Sequence, residues 1–159
     1  MSQTRNSGLT VTTPSDREIV LTRVFGAPRE LVFEAHSRCE HLRKWWGRGN
    51  PLDCEMDFRP GGTYRFVEHS PDGGAHAFRG EYREIVAPER IVLTFEYEGT
   101  PGHVSVNTLG LEEHDGRTTL TSTMVFDSIE DRDGMLNAGM TAGANQSMDH
   151  LDRLLATLT

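Results

Sequence analysis

The stretch Trp45–Gly62, WWGRGNPLDCEMDFRPGG, decides the fold. From Leu52 the apolar residues Leu52, Cys54, Met56 and Phe58 alternate with Asp53, Glu55, Asp57 and Arg59. That is the period of a strand with one buried and one wet face, predicted over 52–58. Pro60-Gly61-Gly62 ends it, because proline removes a backbone donor and the paired glycines admit positive φ. The chain then turns into a second strand, 63–69, with Tyr64 and Phe66 on one face. Ahead of the strand, Trp45 and Trp46 end a short helix, where neighbouring side chains point about 100° apart. This spacing assigns Trp46 to the core and Trp45 to the rim of a pocket.

Outward from this stretch the same periodicities continue. Glu18–Phe25 alternates as a first strand, and Ala27-Pro28 opens a helix to Ala35, since proline suits a first helical turn. A second short helix runs from Cys39 to Trp45. Further strands are predicted at about 75–87, 90–98, 103–113 and 117–126, bounded by Pro71-Asp72-Gly73-Gly74, Pro88-Glu89, Gly99–Gly102 and Asp115-Gly116. Ser128 can cap a short helix with Asp131 three residues on, ended by Gly134. A long amphipathic helix follows over 138–158, with Met140, Ala144, Met148, Leu151 and Leu155 on one face. Gly139 and Gly143 lie near its start.

Several strings resemble a known family: REIVLTRVFGAPRELVFEA (17–35), EHLRKWWG (40–47), EMDFRPGG (55–62), FRGEYREIVAPERIVLTFE (78–96) and SMDHLDRLL (147–155). They are similar to the activator of heat-shock protein 90 ATPase-like family, within the START and birch-pollen-allergen-like (SRPBCC) superfamily. The resemblance implies an α+β helix-grip fold. Its parts are a curved antiparallel sheet of about seven strands around a long C-terminal helix, with two short helices after the first strand. A curved sheet cannot lie flat along a rigid helix, so a hydrophobic cavity between them is the expected binding site.

Alternation gives the residues facing that cavity: Met56, Phe58, Tyr64, Phe66, Phe78, Tyr82, Phe95, Tyr97, Thr108 and Met124 from the sheet, with Val104 and Val106 beside Thr108. Trp45 joins them at the rim, and Met140, Ala144 and Met148 face them from the helix. The hydroxyls of Tyr64, Tyr82, Tyr97 and Thr108 need partners in an apolar interior, which a ligand or water can supply. Members of the family commonly carry tryptophan at the positions of His36 and Ala144. Both replacements reduce bulk, and His36 places a titratable ring at the expected pocket mouth.

Composition narrows the function. With 24 Asp and Glu against 16 Lys and Arg in 159 residues, the net charge near −8 repels phosphate backbones and anionic lipid. Nucleic-acid and membrane partners are not expected, and no apolar run reaches the length of a membrane helix. Residues 1–16 are Ser/Thr-rich without a secretory signal, so they read as a flexible leader to a single domain over 17–159, with a cytoplasmic location. Cys39 and Cys54 have no zinc-ligand spacing and read as free thiols, Cys54 as a small hydrophobe and Cys39 near a helix start. The sequence contains no nucleophile elbow, zinc-protease helix or phosphate loop, and the histidines are scattered. Neither metal nor cofactor is expected, and no catalytic residue is assigned. The reading is therefore a monomeric or homodimeric protein binding a small hydrophobic molecule, with a stress-related role. Alternatives are a co-chaperone contacting a heat-shock chaperone, and a cavity enzyme of cyclase, hydrolase or dehydratase type.

Overall fold

The computed structural model describes residues 4–6 and 8–159. The first three strands are β1 (Thr4–Asn6), β2 (Leu9–Thr12) and β3 (Glu18–Phe25). Helices α1 (Arg29–Ser37) and α2 (Cys39–Trp45) follow, then a 3-10 turn at Gly47–Gly49. Six more strands complete the sheet: β4 (Leu52–Met56), β5 (Thr63–His69), β6 (Ala75–Val86), β7 (Arg90–Tyr97), β8 (Val104–His114) and β9 (Arg117–Val125). The chain closes with α3 (Ile129–Asn137) and α4 (Met140–Leu158). All pairings are antiparallel, in the order β1-β2-β3-β9-β8-β7-β6-β5-β4. This is the α+β helix-grip arrangement that the sequence implies, with nine strands among the described residues rather than seven.

The two added strands lie in the segment expected to be a flexible leader; of that segment, residues 1–3 and 7 lie outside the described residues. Its threonines favour strand as β-branched residues, and Leu9 and Val11 alternate onto the inner face. Leu9 is wholly buried beside Ile19 and Leu21. Burial of two apolar side chains outweighs the polar composition of the segment.

Gly139 separates the last two helices. Its φ of 81° is left-handed, where glycine has no Cβ penalty, so the break falls there and not at Gly134, which sits inside α3. Ser128 Oγ accepts from Asp131 N at 3.1 Å, as its spacing predicts.

The inner face of the sheet packs against α1, α2 and α4 in two clusters. The larger one joins Phe25, Val32, Trp45, Tyr82, Leu109 and Leu120 to Leu151 and Leu155 of α4. The smaller one gathers Leu9, Val11, Ile19, Leu21, Met124 and Phe126, with Met140 and Ala144 against it.

Two expectations are corrected here. On β8 the inward set is Ser105, Asn107, Leu109 and Leu111: Asn107 pairs with inward Leu93 and Met124, whereas Thr108 pairs with Val92 and Thr123. Val104, Val106 and Thr108 thus belong to the outer face. Two large leucines at 109 and 111 fix the parity, and a one-residue slip turns every side chain over. The two cysteines are not free, since Cys39 at the start of α2 is bonded to Cys54 on β4, with Cα atoms 5.7 Å apart. The bridge closes the loop that carries Trp45 and Trp46.

Candidate functional site

Along the inner face, burial is uneven. Leu109, Leu111 and Leu120 are sealed by the helices, while Phe78, Leu93, Phe95 and Tyr97 toward the other end of the middle strands are only half-buried. The register places Phe66, Phe78 and Tyr97 side by side on β5, β6 and β7. Phe78 stacks on Phe95 with ring centroids 5.4 Å apart and lies 5.2 Å from Tyr97. Trp46 stands edge-on to both Phe66 and Phe78, each at 5.1 Å. The result is an aromatic strip that is only partly covered.

The two indoles have exchanged the roles expected of them. Trp45 is 4% exposed and donates from Nε1 to Ala35 O at 3.0 Å, whereas Trp46 is half-buried in the strip. Trp46 has left the helix, with φ −70° and ψ 151°, so helical spacing does not set its direction.

At one end the strip meets a polar group that the strand pattern places on the buried face. Glu68 shares the face of Tyr64 and Phe66 and is 5% exposed. Its Oε2 accepts from Arg48 Nε at 2.8 Å, from Arg48 Nη2 at 2.7 Å and from Asn50 Nδ2 at 2.8 Å. Among the described residues no donor reaches Oε1. His76 is the cross-strand partner of Glu68, and its Nδ1 lies 3.1 Å from the Tyr97 hydroxyl.

Arg48 reaches Glu68 because Gly47, Arg48 and Gly49 are all left-handed, at φ 68°, 61° and 74°. A Cβ on Gly47 would stand 3.3 Å from Glu68 Cγ, and one on Gly49 would stand 2.6 Å from His150 Nε2. Glycine is what lets the turn sit between β5 and α4. Arg48 N also donates to Ser147 Oγ at 2.8 Å, fastening the turn to the helix.

The remaining predicted residues divide. Tyr64 and Tyr82 are buried, and desolvation raises both phenol pKa values above their ordinary range. Tyr64 donates to Thr94 O at 2.5 Å. Phe58 lies past the end of β4 and packs between Phe33 and Tyr82 at 5.8 and 5.0 Å. Met56 and Met148 join the large cluster, and Met124, Met140 and Ala144 the small one.

His36 is not at a pocket mouth. Its ring packs 4.8 Å from Trp45 at the α1–α2 junction, and Nδ1–H donates to Val32 O at 2.8 Å. Burial lowers its pKa to about 4, with the Val32 bond opposing, so the ring is neutral near pH 7. Thr108, on the outer face, is not brought to the strip.

Two depressions lie away from the strip. One of about 670 Å³ crosses the outer face of β4–β7, between Glu55, Arg65, Arg79 and Glu96. Its rim arginines are paired, Arg65 with Glu98 and Arg79 with Glu96, and each holds its partner carboxyl below the usual range. The second, of about 240 Å³, lies between Lys44 of α2 and His150 and Arg153 of α4. No helix among the described residues is long and apolar enough to cross a membrane.

Residues 26–156 match the family described as Activator of Hsp90 ATPase homolog 1-like protein. The chain belongs to this family. A crystal structure from Rhodobacter sphaeroides superposes with a TM-score of 0.86 at 25% identity, covering 95% of this chain and 99% of that one. Protein Ms6760 from Mycobacterium smegmatis is similar at 27% identity and a TM-score of 0.81, over 91% of this chain and 96% of its own. A protein from Rhizobium leguminosarum shares 30% identity at a TM-score of 0.69, over 88% and 94% of the two chains. No curated protein matches the chain. The Activator of Hsp90 ATPase homolog 1-like fold is of the ligand-binding helix-grip kind.

Glu68, Arg48 and Asn50 were not predicted as site residues. Glu68 carries a signal: it continues the inward parity of Tyr64 and Phe66, so the alternation puts a carboxylate on the buried face.

Proposed function

We propose that this protein binds a small, mainly apolar molecule on the concave face of its sheet, against Trp46, Phe78, Phe95 and Tyr97. One observation carries the reading: four aromatic rings stay half-buried together on the face whose other end is sealed. Covering such surface releases about 25 cal/mol per Å² before the costs of association. The test is titration with 1-anilinonaphthalene-8-sulfonate. Phe95→Ala should weaken dye binding about tenfold, while Val24→Ala, at an exposed residue of the outer-face edge of β3, should leave it unchanged. Equal effects of the two substitutions would remove the concave face from the function.

A second reading, a co-chaperone acting on a heat-shock ATPase, is supported by the family's description. Stimulation of a purified Hsp90 ATPase by stoichiometric protein supports it; an unchanged rate contradicts it.

A further inference from the structure

We propose that the polar end of the aromatic strip selects a neutral aromatic molecule bearing a hydroxyl, a phenol-class ligand whose O–H donates to Glu68 Oε1 while its ring lies against Trp46 and Phe78. The inference rests on the concave-face reading above and adds the ligand's chemical class to it.

Its first support is the distribution of donors around Glu68. Three N–H groups converge on Oε2, from Arg48 Nε, Arg48 Nη2 and Asn50 Nδ2, at 2.7–2.8 Å. None of the described residues supplies a donor to Oε1. A carboxylate has acceptor capacity on both oxygens, and Oε1, unlike the buried unpartnered atoms His41 Nδ1 and Asn145 Oδ1, is open to solvent. The unused oxygen is thus the place where the protein lacks a donor and a ligand can bring one.

The second support is position. Glu68 lies on β5 next in inward register to Phe66, and its cross-strand partner His76 touches the hydroxyl of Tyr97. Rings on one side and a polar end on the other match a flat molecule with a single polar substituent.

Charge decides between a hydroxyl and an ammonium. Arg48 already offsets the Glu68 charge at 2.7 Å, so the pair presents no net charge to a ligand. A cation entering there would give up its water without gaining an unpaired counter-ion. A neutral O–H keeps the balance and makes a charge-assisted hydrogen bond.

The test compares three probes by isothermal titration calorimetry: 2-naphthol, 2-methoxynaphthalene and naphthalene. The wild-type protein should bind 2-naphthol about tenfold more tightly than either of the others, the fold-change of one charge-assisted hydrogen bond. In Glu68→Gln, Arg48 and Asn50 hold the amide oxygen, so the amide nitrogen takes the place of Oε1 and an acceptor becomes a donor. The preference for 2-naphthol should then fall to within about twofold, with the circular dichroism spectrum unchanged. Equal affinity of the three probes for the wild-type protein overturns the hydroxyl selection and leaves the apolar site standing; this comparison needs no variant to fold. A preference that survives intact in folded Glu68→Gln overturns the role of Glu68. Failure of all three probes to bind overturns the concave-face reading and the proposal with it.

Discussion

Gly80 leaves no room for a side chain beside the buried ring of Tyr64, which packs on Phe66 of the strip. It sits on β6 between Tyr64 and Thr94, and a Cβ built there would lie 2.0 Å from Thr94 O and 2.6 Å from the Tyr64 hydroxyl. Contacts below 3.0 Å are not tolerated by real Cβ atoms, so Gly80→Ala must push a strand or the tyrosine ring by about 1 Å. The Tyr64–Thr94 hydrogen bond runs through that space and would be broken. Overpacking of about 1–3 kcal/mol and a lost buried hydrogen bond of about 1 kcal/mol together predict a destabilisation of about 2–4 kcal/mol. Urea denaturation of the wild type, Gly80→Ala, Tyr64→Phe and the double variant measures it. Tyr64→Phe alone should cost about 1–2 kcal/mol, and should cost much less on the Gly80→Ala background, because the bond is already gone. A Gly80→Ala protein within about 0.5 kcal/mol of wild type would refute the reasoning, since surface-like tolerance is incompatible with that packing.

Other consequences are open to measurement. Replacing Cys39 and Cys54 by serine should lower stability by about 3 kcal/mol, the loop-closure value for a bridge between residues 15 apart. Denatured, unreduced protein should show no free thiol; a titre of two would show that the bridge is unformed. His36 binds its proton more weakly folded than unfolded, with a pKa of about 4 against 6.5. The unfolded state therefore takes up a proton first as pH falls, so the contribution is fully present above pH 6.5 and is lost between pH 6.5 and 4. The loss should be on the order of 2–3 kcal/mol, visible as a shallower stability slope over that window in His36→Gln than in wild type. Identical slopes would show that His36 is not desolvated in the folded state. Gly47→Ala should weaken the Arg48–Glu68 pairing through both its left-handed backbone and the close approach to Glu68. A loss of at least about 1 kcal/mol is expected in urea, and no loss would show that the turn adapts.

Much of this architecture was legible in the sequence. The Leu52–Phe58 alternation, the turn at Pro60–Gly62 and the Ser128 cap rest on local chemistry, and the structure follows each closely. The parity of β8 was not legible, because VSVNTLGL offers apolar residues on both faces and only the bulk of Leu109 and Leu111 against the helices decides which is inward. Strand β2 was hidden by the polar composition of its segment, and its place in the sheet depends on pairing with β3. The bridge between Cys39 and Cys54 depends on α2 meeting β4, a tertiary contact that spacing does not encode. The exchange of Trp45 and Trp46 has the same origin: the helix stops one residue earlier than a helical reading of both indoles requires. For the site, parity located the aromatic rings, but the Glu68–Arg48–Asn50 group needs three consecutive left-handed residues that composition does not announce.

The central claim, that the concave aromatic face is where a small apolar molecule binds, is tested most directly by ¹⁵N–¹H correlation spectra recorded during titration with 2-naphthol. The two indole N–H signals serve as internal reporters, Trp45 buried and bonded to Ala35 and Trp46 on the strip. The account predicts that the Trp46 indole and the amides of Glu68, Phe78 and Phe95 shift on titration, while the Trp45 indole stays in place. Shifts confined to Arg65, Arg79 and Glu81 around the outer depression, with the Trp46 indole unmoved, would contradict it.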